Sequence, residues 1–595
     1  MFKVISKNNR YFGHFLSVLR HRFFIGLGLS LLVGVLDGIG LAMFLPLLEL
    51  FDTDREASVE GTSFTLVHDL FSTFSIDVTL GSVLLFILFV FVLKGVFKYA
   101  EGYYAMKIQI RFILHIRKLG VERLSNYSFS SFVHADSGRI QNTLSGEASR
   151  VINAYTHFFT AIQNGVMVAI YIGLAFTFNS QFSLLVLIGA LLTNFVFRAI
   201  YRKSKEQSAL LTARNNRYHG LLMQSVHYFK YLKATGSVTT FRDKLYEGID
   251  GIEDANRRMG ILKALLMAVR EPLIFGIIIV VIYLQIVYFG QPIGLIIMSL
   301  VFFYRALSFM MILQSSWNGY VSLSGSLLNM YTFLDELDEG KEATGGHVID
   351  RIDSDIRLEN VGFGYAGGKT IFKGLSFNFV NRKTTAIVGE SGSGKTTLIN
   401  LLAGLLKHNE GRMTVNGVSY DAIEKRSLQA RIGYITQEPV VFDDTLYNNV
   451  TFWAAKTAEN LVRFEDVMRK AALVDFLNEL PQREDTQLGN NGILISGGQR
   501  QRLSIARELF RDIDILIMDE ATSALDSETE RAIQHNILAL HGSYTIVIVA
   551  HRLSTVKDAD TIVVLKDGEV TDMGRFDELR ERSPSFRRMV ELQEF

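Results

Sequence analysis

The stretch GESGSGKT, at residues 389–396, has the residue types and spacing of a phosphate-binding loop. It follows a β-branched run and precedes an apolar helix, which is the strand–loop–helix context that such a loop requires. Its glycines allow backbone N–H groups to face phosphates at a helix N-terminus, where the helix dipole favours anions. We expect Lys395 to reach the β- and γ-phosphates and Thr396 to ligate Mg²⁺. The other residues expected to contact the nucleotide here are Gly389, Glu390, Ser391, Gly392, Ser393, Gly394 and Thr397.

Two later apolar runs end in side chains that could act on a bound nucleoside triphosphate. The run DILIMDEATSALD, at 514–526, brings Asp519 and Glu520 to the end of a predicted strand. We expect Asp519 to hold Mg²⁺ through its hydration shell, and Glu520 to polarise the attacking water. His551 directly follows the run YTIVIVA, at 544–550, and could contact the γ-phosphate.

A second anion-binding pattern, ISGGQRQR at 495–502, follows the first by about a hundred residues. Its serine, glycines and glutamine also suit a surface that lies against an anion. One nucleotide needs only one such loop. The residues alone therefore leave open which ligand the second pattern serves.

These motifs lie in the second half of a chain of 595 residues whose two halves differ in composition. Apolar residues make up 49% of the chain, and they are concentrated in long runs before about residue 317. The absence of cysteine excludes disulfides, thiolate metal sites and cysteine nucleophiles. The net charge of +1 gives no indication of a nucleic-acid partner. An acidic, glycine-bearing stretch at 334–346 precedes a second half with the composition of a soluble α/β domain.

The first half contains six runs long enough to cross a membrane as helices, since a bilayer core needs about 20 apolar residues. They lie at about 23–50, 80–100, 158–178, 182–201, 272–290 and 293–317. The connections 101–156 and 202–270 are basic, whereas 51–79 is acidic. Cytoplasmic connections carry the excess of lysine and arginine. We therefore predict a multi-pass protein of the plasma or inner membrane, with both termini, both basic connections and the second half in the cytoplasm. Helical spacing within 106–124 predicts that the first basic connection continues as a helix beyond the bilayer.

Four cations within or beside these runs could bind an anionic substrate: Lys94, Lys98, Arg270 and Arg305. Ionisable residues inside a membrane are costly and indicate function. Arg305 lies about twelve residues into the sixth run, roughly 18 Å along a helix. Lys98 and Arg270 are equally explained by long side chains that extend to the headgroups. The structural alternative for Arg305 is an ion pair with Asp37 in the first run.

Together with a glutamine after the strand in IGYITQE (Gln437) and with IVAHRLS, these motifs resemble the ATPase domain of ABC transporters over about 351–595. The six runs in front resemble the exporter arrangement of that superfamily. The resemblance implies a membrane all-α six-helix ABC exporter domain plus an α/β P-loop NTPase (ABC ATPase) domain. It divides the chain into an interfacial segment (1–22), a transmembrane domain with two long cytoplasmic loops (23–330), a linker (331–350) and an ABC ATP-binding domain (351–595).

The resemblance also implies which nucleotide the second anion-binding pattern contacts. In ABC ATPases, two domains associate head to tail, and the signature sequence of one covers the ATP that the other holds. We therefore expect a homodimer that binds ATP and Mg²⁺. The family further implies that Tyr365 stacks on adenine and that Gln437 is a catalytic residue and Mg²⁺ ligand. The residues expected to act on the partner's ATP are Ser496, Gly497, Gly498, Gln499 and Asp526.

The sequence departs from the family pattern at three places outside the catalytic positions. Ile495 replaces the usual leucine before SGGQ, and NRKTT, at 381–385, lacks a common glycine. Asn490 and Asn491 stand where a glutamate is usual, which affects an expected contact with the inner loops of the membrane domain.

The predicted function is an ATP-driven exporter or flippase that moves an amphipathic, anionic lipid-linked substrate outward from the cytoplasmic side. The YR pair in the sixth run and the basic second run are similar to flippases of polyprenyl-pyrophosphate-linked oligosaccharides. A general lipid or multidrug exporter is the alternative within the class, and aromatic and methionine residues such as Phe302, Phe303, Met310 and Met311 would suit it. An ATP-gated channel or regulator is the alternative of another class.

Overall fold

The protein divides into two compact units. The computed structural model describes the backbone of residues 21–44, 79–178, 180–288, 293–365, 370–489, 492–519, 540–550 and 556–593. Some side chains within the helices, including that of Arg270, lie outside the described part. One unit comprises residues 1–125 and 136–339, and the other comprises residues 126–135 and 340–595.

The first unit is helical. In chain order, the helices before residue 340 are α1 (His21–Ala42), α2 (Leu80–Ser125), α3 (Phe129–His134), α4 (Ser137–Asn142), α5 (Ala148–Phe178), α6 (Ser180–His227), α7 (Phe229–Ala234), α8 (Val238–Val287) and α9 (Ile293–Glu339). The helical continuation predicted for 106–124 is confirmed, because α2 runs unbroken to Ser125.

Five helical stretches of the described part are long and apolar enough to cross a membrane. They are His21–Ala42, Leu80–Ser125, Ser137–Thr177, Val238–Val287 and Ser299–Glu339. The remaining predicted span, 182–201, lies within α6, where many side chains are outside the described part. The predicted interfacial segment and the acidic connection at 51–79 lie almost entirely outside it as well.

A stripe of small residues brings α1 against α5. Gly26, Ser30, Gly34 and Gly38 recur every four residues and therefore share one face of α1. A Cβ at Gly34 would lie 2.5 Å from a methyl carbon of Ile170, so a larger residue would require that side chain to move. Small residues are a common means of close helix packing in membranes. The stripe therefore positions the polar side chains that α1 carries beside it.

The second unit begins with a short segment from the first basic connection. Residues 126–135, which include α3, belong to this unit, and Phe129 packs against its hydrophobic core. The Ser128 N–H donates to the carbonyl of Gly340 at 2.9 Å, and Arg426 donates to the Asn126 side chain at 2.7 Å. The tip of a loop that interrupts the helical unit is thus part of the other unit.

Two sheets and their helices form the rest of the second unit. The strands are β1 (Ile356–Gly364), β2 (Thr370–Phe379), β3 (Thr384–Gly389), β4 (Glu410–Val415), β5 (Val418–Ser419), β6 (Ile432–Ile435), β7 (Ile515–Asp519), β8 (Thr545–Val549), β9 (Thr561–Lys566) and β10 (Glu569–Gly574). The helices are α10 (Lys395–Leu402), α11 (Lys425–Ala430), α12 (Leu446–Thr451), α13 (Ala458–Lys470), α14 (Val474–Glu479), α15 (Gly497–Phe510), α16 (Phe576–Arg582) and α17 (Pro584–Gln593). One sheet has the order β2-β1-β4-β5 and the other β10-β9-β3-β8-β7-β6.

The central strands of the larger sheet are parallel, and all but one residue of each is buried, as their continuous β-branched runs predict. Two hydrophobic clusters cover different parts of this unit. One holds α10 and the smaller sheet, and the other holds α12, α13 and α15. Therefore α10, which follows the phosphate-binding loop, and α15, which begins within ISGGQ, pack in different hydrophobic clusters.

Candidate functional site

The carboxyl ends of β3, β8 and β7 bring the predicted catalytic segments to one edge of the sheet. Ile387 pairs with Val549, and Val549 pairs with Asp519. Ile387, two residues before the phosphate-binding loop begins, is therefore level with Asp519, two strands or about 10 Å away. Ligands of open α/β sheets bind at this edge. Glu520, Asp526 and His551 lie outside the described residues.

The loop between β3 and α10 has the backbone that its glycines require. Gly392 and Gly394 have φ values of 81° and 101°, and a Cβ at Gly394 would lie 2.6 Å from the ring of Phe372. Lys395 is 6% exposed, and its ammonium donates to the carbonyls of Gly389 at 2.8 Å and Glu390 at 3.0 Å. The lysine charge is therefore held inside the loop.

The side chains around this loop fit a nucleotide with Mg²⁺. The hydroxyl of Ser393 is buried and has no hydrogen-bond partner among the described residues, which suits a group that bonds a phosphate. Thr396 is exposed in the first turn of α10. Its hydroxyl, the Asp519 carboxylate and the Gln437 amide oxygen are the oxygen ligands that Mg²⁺ prefers. The Tyr365 hydroxyl lies 3.4 Å from that of Thr397.

Tyr434 is a contact of Asp519 that the sequence analysis did not identify. It lies on β6, and its hydroxyl donates to Asp519 Oδ2 at 3.5 Å. Burial, followed by the charge of Asp519, raises the pKa of Tyr434, so its hydroxyl stays a neutral donor. Tyrosine in a strand is ordinary, and only the pairing of β6 with β7 reveals this contact.

The ISGGQ pattern forms a reciprocally capped helix N-terminus. The Gln499 N–H donates to Ser496 Oγ at 3.2 Å, and the Ser496 N–H donates to Gln499 Oε1 at 2.8 Å. Ser496 is exposed, and a Cβ at Gly497 would meet no atom within 4 Å. The surface beside Gly497 is therefore open, and it lies at the positive end of the helix dipole, which favours an anion.

Arg507 connects α15 with the segment that follows Gln437. It is 4% exposed, and its guanidinium donates to the carbonyl of Asn449 at 2.6 Å, to Asn449 Oδ1 at 3.0 Å and to the carbonyl of Val440 at 2.7 Å. Burial lowers its pKa. Neither Arg507 nor Asn449 was predicted, because 58 residues separate them and no motif links them.

Aromatic side chains flank the same guanidinium. The rings of Phe442 and Phe452 have their centroids 5.2 and 5.4 Å from its central carbon. Phe452 and Trp453 have φ values of 50° and 59°, which aromatic residues rarely adopt. Both are about half exposed, so Arg507 supports a strained aromatic surface as well as the backbone beneath it.

In the membrane unit, a buried carboxylate holds one of the predicted cations. Asp37 is 2% exposed. Lys94 Nζ lies 2.5 Å from Asp37 Oδ1, and the Tyr171 hydroxyl donates to the other carboxylate oxygen. Asp37 therefore pairs with Lys94, and not with Arg305 as in the structural alternative above. Arg305 lies one helical turn before Phe309, whose ring stacks on that of Tyr171 with the centroids 5.5 Å apart.

A second buried carboxylate, Glu101, holds Lys98. Lys98 Nζ lies 2.7 Å from Glu101 Oε2, while Ser30 and Gln163 donate to Oε1 at 2.5 and 2.9 Å. The lysine side chain is itself 61% exposed. The sequence analysis missed Tyr171, Ser30, Glu101 and Gln163, although polar residues in apolar helices could have indicated them.

Comparisons with known proteins agree with this architecture. Residues 372–523 match the family described as "ABC transporter", and residues 24–317 match the "ABC transporter transmembrane region". The chain is 30% identical over 508 residues to the ATP-dependent lipid A-core flippase of Cupriavidus pinatubonensis (strain JMP 134 / LMG 1197), covering 82% of this chain and 83% of that protein. It is 28% identical over 494 residues to the heterocyst differentiation ATP-binding protein HepA of Nostoc sp. (strain PCC 7120 / SAG 25.82 / UTEX 2576), covering 82% and 80%. A bacterial Atm1-family ABC exporter with ATP bound has the same fold, with a TM-score of 0.77 at 23% identity over 97% of this chain and 99% of that one.

Proposed function

We propose that this protein moves an anionic lipid-linked substrate. The chain belongs to the ABC transporter family and is a half-size exporter whose ATP hydrolysis is coupled to transport. The substrate is amphipathic, such as a polyprenyl-pyrophosphate-linked oligosaccharide, and travels outward from the cytoplasmic side. Several relatives are described as lipid A-core flippases, which supports a lipid as cargo. The basic connections 101–156 and 202–270 support a cytoplasmic ATPase domain.

The proposal that the substrate is anionic depends mainly on the environment of Arg305. It is half-buried in α9, deep in a membrane span, and no carboxylate of the described residues forms an ion pair with it. Asp37 instead neutralises Lys94. The group of Asp37, Lys94 and Arg305 therefore carries one excess positive charge in a medium where an unbalanced charge is costly. A phosphate or pyrophosphate group supplies the missing negative charge.

The ATPase cycle that we propose uses a homodimer with closed twofold symmetry. Lys395 and the N–H groups of its loop bind the phosphates, with Thr396, Gln437 and Asp519 as the residues that would hold Mg²⁺. When bound, Mg²⁺ neutralises charge that develops on the phosphates. Ser496 of the second copy closes over the γ-phosphate, and Glu520 accepts a proton from the attacking water. Closure drives the membrane unit only if ATP binds the two conformations with different affinity.

The test is lipid-stimulated ATP hydrolysis of the purified protein in nanodiscs. A polyprenyl phosphate or pyrophosphate should stimulate hydrolysis, and the neutral polyprenol should stimulate it much less. Arg305→Ala should lose that stimulation and keep basal hydrolysis, because ATP binds in another domain. Arg305→Lys should retain part of it, as a point charge without the guanidinium fork. Equal stimulation of Arg305→Ala and wild type by the anionic lipid would contradict the headgroup role.

A general lipid or multidrug exporter is the second candidate. The aromatic residues that favoured it in the sequence, Phe302 and Phe303, are 0% and 3% exposed and pack in a core with Tyr171. They are therefore packing residues in this conformation. Stimulation by neutral amphiphiles as strong as that by the anionic lipid would favour the second candidate. An ATP-gated channel would instead conduct ions through vesicles without sustained hydrolysis.

A further inference from the structure

The carboxylate of Asp37 occupies donors that an anionic headgroup would also use. One of its oxygens accepts from Lys94 at 2.5 Å, and the other accepts from Tyr171. Ammonium and hydroxyl groups donate to carboxylate and phosphate oxygens alike, and charge-assisted bonds of this kind are strong in either case. The Asp37 carboxylate therefore forms the hydrogen bonds that the phosphate of a bound headgroup would form.

Tyr171 joins this ion pair to Arg305. Its ring is 0% exposed and stacks on Phe309, with the centroids 5.5 Å apart, so its hydroxyl has a fixed position. That hydroxyl bonds Asp37, and Arg305 lies on the same face of α9 as Phe309, four residues before it. A headgroup bound by Arg305 would thus come close to the donors that now hold Asp37.

The Glu101 network lacks this arrangement and provides an internal comparison. Glu101 is buried to the same degree as Asp37 and accepts three hydrogen bonds. Its one ion-pair partner among the described residues is Lys98, so that group is neutral. Ser30, which bonds Glu101, lies seven residues before Asp37 on α1, or about 10 Å along the helix. Both networks include residues of α1, α2 and α5, but only the Asp37 group adds Arg305 from α9, so the two differ in net charge.

We propose that Asp37 is an exchangeable internal counterion: it holds Lys94 and Tyr171 when the site is free of substrate, and an anionic headgroup at Arg305 competes with it for them. Asp37 therefore sets the affinity of the site for anions and its preference among headgroup charges. This inference rests on the proposed function, because it needs an anionic substrate.

The electrostatic consequence can be expressed as a change in affinity. A neighbouring charge typically shifts the pKa of a group by about 1–3 units, which is a tenfold to thousandfold change in the binding of one charge. Removing the charge of Asp37 should therefore lower the half-maximal stimulating concentration of an anionic lipid by at least about tenfold. Removing Lys94 should raise it by a similar factor, because Asp37 then lies without its ammonium beside Arg305.

The experiment compares isosteric variants of the full chain in nanodiscs of phosphatidylcholine. ATP hydrolysis is titrated with polyprenyl phosphate, polyprenyl pyrophosphate and polyprenol. Asp37→Asn should lower the half-maximal concentration of both anionic lipids, and more for the pyrophosphate, which carries more charge. Glu101→Gln is the matched control and should leave these concentrations within about twofold of wild type. If Asp37→Asn shifts them no more than Glu101→Gln, the inference is overturned.

A second pair of variants keeps the test decisive if Asp37→Asn fails to fold. Lys94→Met should raise the half-maximal concentration about tenfold, whereas Lys98→Met, one helical turn away and paired with Glu101, should not. The neutral double variant Asp37→Asn/Lys94→Met leaves the net charge at the wild-type value and should restore nearly wild-type affinity. Equal effects of Lys94→Met and Lys98→Met would overturn the inference.

The two proposals fail in different ways. If wild type responds to polyprenol as strongly as to both anionic lipids, the proposed function is wrong. If wild type prefers the anionic lipids and Arg305→Ala abolishes that preference, but Asp37→Asn and Lys94→Met behave as their controls, only the counterion role of Asp37 is wrong.

Discussion

Replacing Arg507 by methionine should destabilise the ATPase domain more than any loss of a surface arginine. Methionine retains most of the apolar volume but removes three hydrogen bonds from a buried charged donor to Asn449 and Val440. Each hydrogen bond of a charged group contributes about 1.5–3 kcal/mol, and the change also removes the cost of burying the charge, so we expect a net loss of about 4 kcal/mol. For a domain of this size, about 4 kcal/mol lowers the Tm by roughly 8–16 °C.

The assay can use the protein's own fluorescence, because the chain has two tryptophans. Trp453 contacts the ring of Phe442, which flanks Arg507, and donates to Asp444 at 2.6 Å. In a Trp317→Phe background, the remaining tryptophan reports unfolding at the strained aromatic surface itself. The measurement is the fluorescence-detected Tm of the full chain in nanodiscs, with and without Arg507→Met.

Two further variants define the result that would refute this reasoning. Arg507→Lys keeps the charge but can replace only part of the guanidinium fork, so its Tm should lie between those of wild type and Arg507→Met. Arg469, with a side chain 72% exposed and 3.4 Å from Asp466, is the matched surface arginine, and Arg469→Met should change the Tm little. If Arg507→Met lowers the Tm by no more than about 2 °C beyond Arg469→Met, the network is not a stabilising one.

Two other predictions concern ATP hydrolysis. Glu520→Gln should retain ATP binding but reduce turnover by at least about a hundredfold. Lys395→Ala should reduce turnover and also weaken ATP binding. Phosphate release measures turnover, and labelled ATP measures binding, so the two assays distinguish the two variants. Near wild-type turnover of Glu520→Gln would exclude it as the base. In a heterodimer with Lys395→Ala in one chain and Ser496→Ala in the other, both changes should fall in one shared ATP site, and the second site should stay active. In a heterodimer with both changes in one chain and a wild-type partner, each ATP site should carry one change. Identical hydrolysis by the two arrangements would contradict the head-to-tail site.

The predicted features that the structure bears out are those encoded in neighbouring residues. The glycines around Lys395 require left-handed backbone and close approach, and continuous β-branched runs require buried parallel strands, so the loop and its strands could be read directly. The helix through 106–124 followed from apolar spacing in the same way.

What could not be predicted depends on how distant segments meet. The sequence suggested Arg305 as a partner of Asp37, whereas the packing of α2 against α1 brings Lys94 to it. The partners of Arg507 lie 58 and 67 residues away in a loop without a motif. Likewise, nothing in the sequence of 126–135 shows that this segment belongs to the second unit. Such contacts follow from tertiary packing, which single-residue preferences do not contain.

Because α2 is long, a small tilt of this helix displaces its far end by a large distance. Its 46 residues span about 69 Å without an internal proline, and Lys94 lies some 31 residues, or about 46 Å, from Ser125 at its far end. A tilt of about 5° around the Asp37–Lys94 contact would therefore move that end by roughly 4 Å, about the width of one residue along an extended chain. A small rearrangement at one hydrogen-bonded ion pair would thus accompany a displacement much larger than its own bond length.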